Sequence, residues 1–170
     1  ERRGTAIIDT MMNLHLLRWA SHETGNRMFS ELADAHIRTT LKYLVRKDGS
    51  THHSFDFDPI TGKALEGHTL QGYRDDSCWA RGQAWALHGF AHAYAWTHRP
   101  EYLDAARLVA KYWLERSPEN GIPPWDFDAP GDPLPDTSAG SIAACGLLEL
   151  ARYVTAFEKE QYRNLAIKTL

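Results

Sequence analysis

The feature that most constrains the fold of this 170-residue chain is the helical spacing of its apolar residues. They recur every three or four positions, which is typical of helices that bury one face. The second segment shows the pattern most clearly, with a stripe that runs through Phe29, Leu32, Ala33, Ile37 and Leu41. The pattern predicts six helices, which cover approximately residues 6–20, 27–45, 78–94, 100–116, 138–155 and 159–170.

Short and long connections alternate between the predicted helices. Gly25 suits the end of the first helix, Ser77 the N-cap of the third and Pro100 the start of the fourth. Between the helix pairs lie residues 47–76 and 117–136, which are rich in Gly, Pro, His, Asp and aromatic residues. Long loops in a compact domain usually carry function. We therefore expect three helical hairpins with elaborated loops at one end, and such hairpins can close into a toroid, the (α/α) barrel.

Charge and hydropathy exclude several classes of protein. A formal net charge of -3 gives no electrostatic basis for binding nucleic acid or an anionic membrane. No apolar run approaches the roughly 20 residues that span a bilayer. The two cysteines, Cys78 and Cys145, are too few for a disulfide scaffold, and their apolar surroundings predict small core residues. Six Trp, seven Tyr and nine His residues suit stacking on sugar rings, although core packing explains aromatic residues equally well.

The start of the chain bears on its domain organisation. It begins at Glu1 with neither a methionine nor a signal-peptide pattern. Such a start is typical of a cut inside a longer protein, so we expect residues 1–170 to form one part of a barrel domain. Such a cut would also remove any targeting signal that precedes it. We predict a cytoplasmic protein.

Asp9 is the first candidate for a catalytic residue. It lies among Ile7, Ile8, Met11 and Met12 at the start of a predicted helix. A carboxyl group among large apolar side chains is harder to ionise, and a general acid must keep its proton near neutral pH. A first-turn aspartate also favours the helix dipole, so a structural role explains the same residue.

Histidines supply further candidates in two places. His52 and His53 follow Asp48 where a helix enters a long loop, and alternation of side chains would put them on opposite faces. This arrangement favours a loop histidine that contacts a ligand over a metal site. His88 and His92 have the i, i+4 spacing that some zinc sites use, but the pattern lacks a glutamate and an obvious third ligand. We therefore predict no metal site and an ordinary core or surface role for His88 and His92.

The densest group of polar and aromatic residues is residues 71–85. Arg81 and Trp85 are four positions apart and share a helix face, where a cation and an aromatic ring can hold a sugar carboxylate and stack on its ring. Gln71 lies in the loop before them and offers an amide donor and an acceptor. A cation–π pair packed within the helix layer is the alternative interpretation.

A later loop carries Trp125, Asp126 and Asp128 after two prolines. Its carboxylates beside a tryptophan could line the same mouth of the toroid. A structural loop is the favoured interpretation.

Five strings of residues, in order and at compatible spacing, resemble glycoside hydrolase family 88, the unsaturated glucuronyl hydrolases. The resemblance covers nearly the whole chain, and residues 79–85, Trp-Ala-Arg-Gly-Gln-Ala-Trp, are its most specific element. The related unsaturated rhamnogalacturonyl hydrolases typically differ after the glycine of that string, which favours the glucuronyl group. The strings are Asp9-Thr10-Met11-Met12-Asn13, Asp48-Gly49-Ser50 with His53, Gln71-Gly72-Tyr73, residues 79–85 and Pro124-Trp125-Asp126.

The resemblance implies a fold and a set of site residues. The fold would be an all-α (α/α)6 barrel of six hairpins, of which this chain would supply about half. Asp9 matches the aspartate that serves the family as general acid and base. A second important aspartate of the family lies well upstream, before the start of this chain. The residues that contact substrate in the family match His53, Gln71, Arg81 and Trp85.

The resemblance also implies a reaction and a small-molecule partner. The substrate would be an oligosaccharide left by a polysaccharide lyase, as in bacterial glycosaminoglycan degradation. Asp9 would protonate C4 of the terminal C4=C5 double bond and then help water add at C5, with no metal or organic cofactor. Two alternatives stay open: a non-catalytic helical scaffold or glycan-binding fragment, and an unsaturated rhamnogalacturonyl hydrolase.

Overall fold

All six predicted helices are present in the computed structural model, which describes residues 4–170. Gly25, with φ at 70°, ends the first helix and Pro100 begins the fourth, as predicted. Successive helices pack against each other in pairs, so the prediction of three hairpins is confirmed. The helices are α1 Thr10–Thr24, α2 Arg27–Tyr43, α3 Ala80–Thr97, α4 Pro100–Arg116, α5 Thr137–Leu150 and α6 Ala156–Thr169.

The helices form two layers. α3 lies between α1 and α5 and packs against both, while α2, α4 and α6 each pack on the helix that precedes them. Glycines bring the helices of the first layer close together. A Cβ atom on Gly89 would lie 2.5 Å from the Cβ of Met11, and one on Gly146 would lie 2.9 Å from the backbone of His88. The fully buried side chains of the core include Leu87, Phe90, Trp113 and Leu147.

A small antiparallel sheet joins the start of the chain to the first long loop, and it was not predicted. Its three strands are β1 Gly4–Ile7, β2 Ser54–Phe57 and β3 Ala64–His68, in the order β1-β2-β3. The predicted start of the first helix near residue 6 is therefore wrong. Ala6 pairs with Phe55 of β2, and the helix begins only at Thr10.

The burial pattern of β2 explains why no pattern of apolar residues predicted this strand. Ser54 and Asp56 are buried, whereas Phe55 and Phe57 lie on the other face. There the two aromatic rings pack against Tyr43, with ring centroids 5.5 and 5.3 Å away. The usual alternation, with apolar residues inside, is therefore inverted.

Further predicted helix boundaries are wrong. The first helix ends at Thr24 instead of residue 20, and the last begins at Ala156 instead of residue 159. Trp79, not Ser77, is the N-cap of α3, because the Ser77 hydroxyl donates a hydrogen bond to Asp126 at 2.7 Å. α5 ends at Leu150 instead of reaching residue 155. Thr155 caps the N-terminus of α6, so the chain must turn between the two helices.

Polar side chains anchor the first long loop to the helices. Gln83, which is fully buried in α3, donates from Nε2 to the carbonyl of Gly49 at 2.7 Å and to that of Val109 at 3.2 Å. The guanidinium of Arg46 donates to the carbonyl of Ser77 at 3.0 Å. These hydrogen bonds therefore hold both ends of the loop beside α3. Within residues 4–170, no helix combines the length and apolar character needed to cross a bilayer.

Candidate active site

Asp9 lies where β1 passes into α1 and occupies the N-cap position of that helix. The turn is fixed by its backbone, since the amide of Ile8 donates to the carbonyl of His53 at 2.9 Å and that of Met12 donates to the carbonyl of Asp9 at 3.0 Å. The Asp9 side chain makes no capping hydrogen bond. Its Oδ2 atom is buried and has no hydrogen-bond partner among residues 4–170. This carboxylate is therefore free for chemistry and not tied to the helix.

His53 is the neighbour of that carboxylate. Its Nε2 atom lies 3.8 Å from Oδ2 of Asp9, and the ring is buried. Its Nδ1 atom accepts hydrogen bonds from the backbone amides of Leu70 at 3.1 Å and Gln71 at 3.3 Å. A backbone amide can only donate, so Nδ1 carries no proton and the ring's proton is on Nε2. The proton of His53 therefore faces Asp9.

The charge state of His53 agrees with this tautomer. Burial lowers the pKa of His53 below its ordinary value, although the carboxylate of Asp9 opposes the effect. The ring is therefore neutral near pH 7. It can donate a hydrogen bond from Nε2 to Asp9 or to a bound ligand without adding a charge to the site.

Trp79 joins His53 to Arg81, a role that the sequence analysis did not assign. The tryptophan is buried, and its ring centroid lies 4.5 Å from that of His53. The Trp79 ring also contacts Arg81, whose Cζ atom lies 5.2 Å from the ring centroid. The cation–π contact of Arg81 is therefore made with Trp79. Since Trp79 belongs to the Trp-Ala-Arg string, its place two residues before Arg81 was the available signal.

Arg81 makes an ion pair that the sequence analysis also missed. Its Nη2 atom lies 3.1 Å from Oδ2 of Asp136, the residue just before α5. The side chain of Asp136 is 6% exposed and that of Arg81 is 39% exposed. The guanidinium is therefore held from one side and open on the other, where an anionic ligand can meet it.

Gln71 is exposed, and its backbone amide contacts His53 as described above. Its loop is held by Asp126, which is fully buried. Oδ2 of Asp126 accepts from the amide of Tyr73 at 2.8 Å and from the hydroxyl of Ser77 at 2.7 Å, and Oδ1 accepts from the amide of Asp128 at 2.9 Å. Asp126 therefore has the structural role that was favoured for it, and supports the loop that carries Gln71.

Trp85 lies one turn after Arg81 on α3 and lines an apolar cavity of about 200 Å³ between α1, α3 and α5. Met12 and Cys145 line the same cavity.

The two cysteines differ in exposure. Cys145 is exposed, so its prediction as a core residue is wrong, whereas Cys78 is buried as predicted. Burial raises the pKa of the Cys78 thiol to about 12.

The histidine pair His88 and His92 gains a third member in the structure. Their ring centroids are 4.3 Å apart, and the ring of His15 on α1 lies 6.0 Å from His88 and 5.7 Å from His92. Even so, no group of three or more His, Cys, Asp or Glu residues within the described part of the chain is arranged to hold a metal ion. The absence of a metal cofactor stays a prediction.

Comparison with known proteins finds relatives along nearly the whole chain. No protein-family model matches the chain. Over 172 residues it is 42% identical to an unsaturated glucuronyl hydrolase from Bacillus sp. (strain GL1). The aligned region covers 99% of this chain and 46% of that protein. Over 157 residues it is 36% identical to an unsaturated chondroitin disaccharide hydrolase from Streptococcus pneumoniae, which covers 91% of this chain and 40% of that protein.

A solved structure agrees with the sequence comparison. The crystal structure of unsaturated glucuronyl hydrolase from Bacillus sp. GL1, described as responsible for the degradation of glycosaminoglycan, matches with a TM-score of 0.93 at 40% identity. The match covers 98% of this chain and 45% of that one.

The three helical hairpins therefore match part of the (α/α) barrel of the unsaturated glucuronyl hydrolases. The chain is a homologue of the unsaturated glucuronyl hydrolases, as its sequence motifs predicted. It spans less than half the length of the curated relatives that it matches.

Proposed function

We propose that the protein is an unsaturated glucuronyl hydrolase, which hydrates the C4=C5 double bond of a terminal unsaturated glucuronic acid. The observation that carries this proposal is the pair of Asp9 and His53. A buried carboxylate oxygen without a hydrogen-bond partner among residues 4–170 lies 3.8 Å from a ring nitrogen that carries a proton. Such a carboxyl group is free to exchange a proton with a substrate.

The reaction is the hydration of a vinyl ether. Asp9 in its acid form transfers a proton to C4, and the positive charge that develops at C5 is shared with the ring oxygen. The resulting Asp9 carboxylate takes a proton from a water molecule as the water oxygen bonds to C5. The hemiketal that forms opens, the bond to the rest of the glycan breaks, and the sugar is released as a keto acid. One carboxylate thus acts first as an acid and then as a base.

The other site residues have roles that follow from their chemistry. His53 donates from Nε2 to Asp9 or to a substrate oxygen. Arg81 binds the carboxylate of the uronic acid, since guanidinium and carboxylate groups pair with strong directional hydrogen bonds. Trp85 stacks on a sugar ring beside the apolar cavity, and Gln71 offers its amide to the sugar hydroxyls. These steps require neither a metal nor an organic cofactor.

The substrate class is inferred from the relatives. One is named for unsaturated chondroitin disaccharides, and another is described as responsible for glycosaminoglycan degradation. We infer that this protein acts on unsaturated oligosaccharides released from such glycans by lyases. A cytoplasmic location, where imported oligosaccharides would be consumed, stays a prediction.

The test is an absorbance assay on the protein at its full natural length. The conjugated double bond absorbs in the ultraviolet, and hydration removes that absorbance. We expect loss of absorbance with an unsaturated chondroitin disaccharide. Loss confined to an unsaturated galacturonyl-rhamnose substrate would favour the rhamnogalacturonyl alternative. Binding without any loss of absorbance would favour a glycan-binding protein and contradict the proposal.

A further inference from the structure

Asp136 lies between two functional elements and contacts both. Its Oδ1 atom accepts hydrogen bonds from the backbone amide of Ala139 at 2.9 Å and from the hydroxyl of Ser138 at 2.6 Å, which caps the N-terminus of α5. Its Oδ2 atom lies 3.1 Å from Nη2 of Arg81. The two oxygens of one carboxylate therefore serve two different partners.

The backbone of Asp136 is itself fixed. Its amide donates to the carbonyl of Pro123 at 2.8 Å, and Pro124 forms a β-bridge with Pro135 directly before it. The residue is only 7% exposed. A carboxylate that is anchored by its backbone and by a helix cap has little freedom to follow a moving partner, so it can fix the position of that partner.

Arg81 is a side chain that needs such an anchor. It lies in the first turn of α3 and its side chain is 39% exposed, and a long exposed side chain otherwise samples many rotamers. The face of Trp79 limits the guanidinium from one direction. The contact with Asp136 uses Nη2 and leaves an exposed part of the guanidinium for a ligand. A side chain held in its binding position before the ligand arrives loses less entropy on binding.

We infer that Asp136 is the positioning residue for Arg81, and that it sets the affinity of the site for the uronic-acid carboxylate without taking part in proton transfer. This inference rests on the proposed function. It gives α5 a part in substrate binding, since the N-cap residue of α5 orients the guanidinium that α3 carries. A change at Asp136 should therefore alter the binding of the substrate and leave the chemistry of Asp9 in place.

The substitution Asp136→Asn separates the two roles of the carboxylate. Asparagine is as good an N-cap as aspartate, so its amide oxygen can keep the bond to Ala139 and preserve α5. The amide nitrogen would then face Arg81, and two hydrogen-bond donors cannot pair. We expect KM to rise at least about 10-fold while kcat changes less than about threefold, as for the loss of an interaction made equally in ground and transition states.

A double-mutant cycle with Arg81→Ala identifies the path of the effect. If Asp136 acts through Arg81, Asp136→Asn adds less than about twofold to the KM of the Arg81→Ala protein. An equal rise in KM in both backgrounds would show a role independent of Arg81 and overturn the inference. An unchanged KM, or a fall in kcat without a rise in KM, would also overturn the inference. An unchanged thermal unfolding midpoint in the Asp136→Asn protein is the control for an intact α5.

A substrate-free readout separates this inference from the proposed function. In NMR spectra of the guanidinium groups, the Arg81 signal is identified by its loss in the Arg81→Lys protein. We expect hindered rotation of this group in the parent and faster averaging in the Asp136→Asn protein. If the parent does not hydrate unsaturated disaccharides, the proposed function fails while this measurement still tests the pair. Equal averaging in the two proteins would overturn the positioning role.

Discussion

His53 presents its proton to Asp9 because its other ring nitrogen is already occupied. Two backbone amides, those of Leu70 and Gln71, donate to Nδ1, while Nε2 lies 3.8 Å from Oδ2 of Asp9. The loop that carries Gln71 therefore selects the tautomer of His53. A change in this loop would alter the proton donor beside the carboxylate even if Asp9 itself did not move.

Asp9→Asn should abolish the reaction while the fold is retained. Asparagine has nearly the same size and can occupy the same N-cap position, but it cannot transfer the proton that the double bond needs. We expect turnover to fall at least about 100-fold, the scale for a lost acid–base group. Loss of absorbance with an unsaturated disaccharide measures this. Asp104→Asn, on the exposed side of α4, is the matched control and should keep parent activity. Near-parent turnover in the Asp9→Asn protein would show that Asp9 is not the acid.

Asp126→Ala should lower the stability of the protein more than a surface aspartate does. The substitution leaves three donors without their acceptor: the amides of Tyr73 and Asp128 and the hydroxyl of Ser77. We expect the free energy of unfolding to fall by about 2–4 kcal/mol, since buried unpaired donors each carry a desolvation cost. Urea unfolding gives the value. Asp132→Ala, in an exposed loop, should change it by less than about 0.5 kcal/mol. Equal effects of the two substitutions would show that Asp126 does not hold this loop.

Cys145 should react with a maleimide while Cys78 does not. Cys145 is exposed in the cavity beside Trp85, whereas Cys78 is buried and its thiol has a pKa of about 12, so it forms almost no thiolate near neutral pH. Mass spectrometry of the native protein should show one modification, and none in the Cys145→Ser control. If the Trp85 cavity belongs to the substrate site, an unsaturated disaccharide should slow the modification. An unchanged rate at a saturating concentration would separate the cavity from the site.

The helices could be predicted because the residues that define each of them are close together in the sequence. The apolar stripe of α2 predicted that helix, and Gly25 and Pro100 predicted helix ends. A helix that buries one face has apolar residues every three or four positions, and this spacing can be read from the sequence. The sheet left no such signal. β2 buries Ser54 and Asp56, and its pairing with β1 joins residues far apart in the sequence.

The same distinction applies to the candidate site. Asp9 and His53 could be proposed for the site because they lie in local strings that resemble a known family. Asp136 was missed because its role comes from a contact with Arg81 across the whole of α3 and α4. The supporting role of Asp126 likewise depends on partners in a distant loop. Residues that act by contact between distant segments leave no spacing rule in the sequence.

The histidine cluster on α1 and α3 should make stability depend on pH. Burial lowers the pKa of His88 from 6.5 to about 4, and the neighbouring rings of His92 and His15 add to the effect, while Glu149 of α5 opposes it. Because the folded state resists protonation of His88, the unfolded state binds more protons between pH 6.5 and about 4. The contribution of His88 is therefore fully present above pH 6.5 and is lost as the pH falls toward 4.

The size of this loss is limited by the difference between the two pKa values. At 1.36 kcal/mol for each pKa unit, reduced by solvent screening of this partly exposed ring, the loss from His88 is on the order of 1–3 kcal/mol near pH 4. Urea unfolding at pH 7.5 and pH 4.5 should show a smaller decrease in His88→Gln than in the parent, because glutamine does not titrate. His36→Gln, on an exposed part of α2, supplies the background for removing a histidine. Parallel pH curves for His88→Gln and the parent would mean that His88 protonates equally well in the folded and unfolded states.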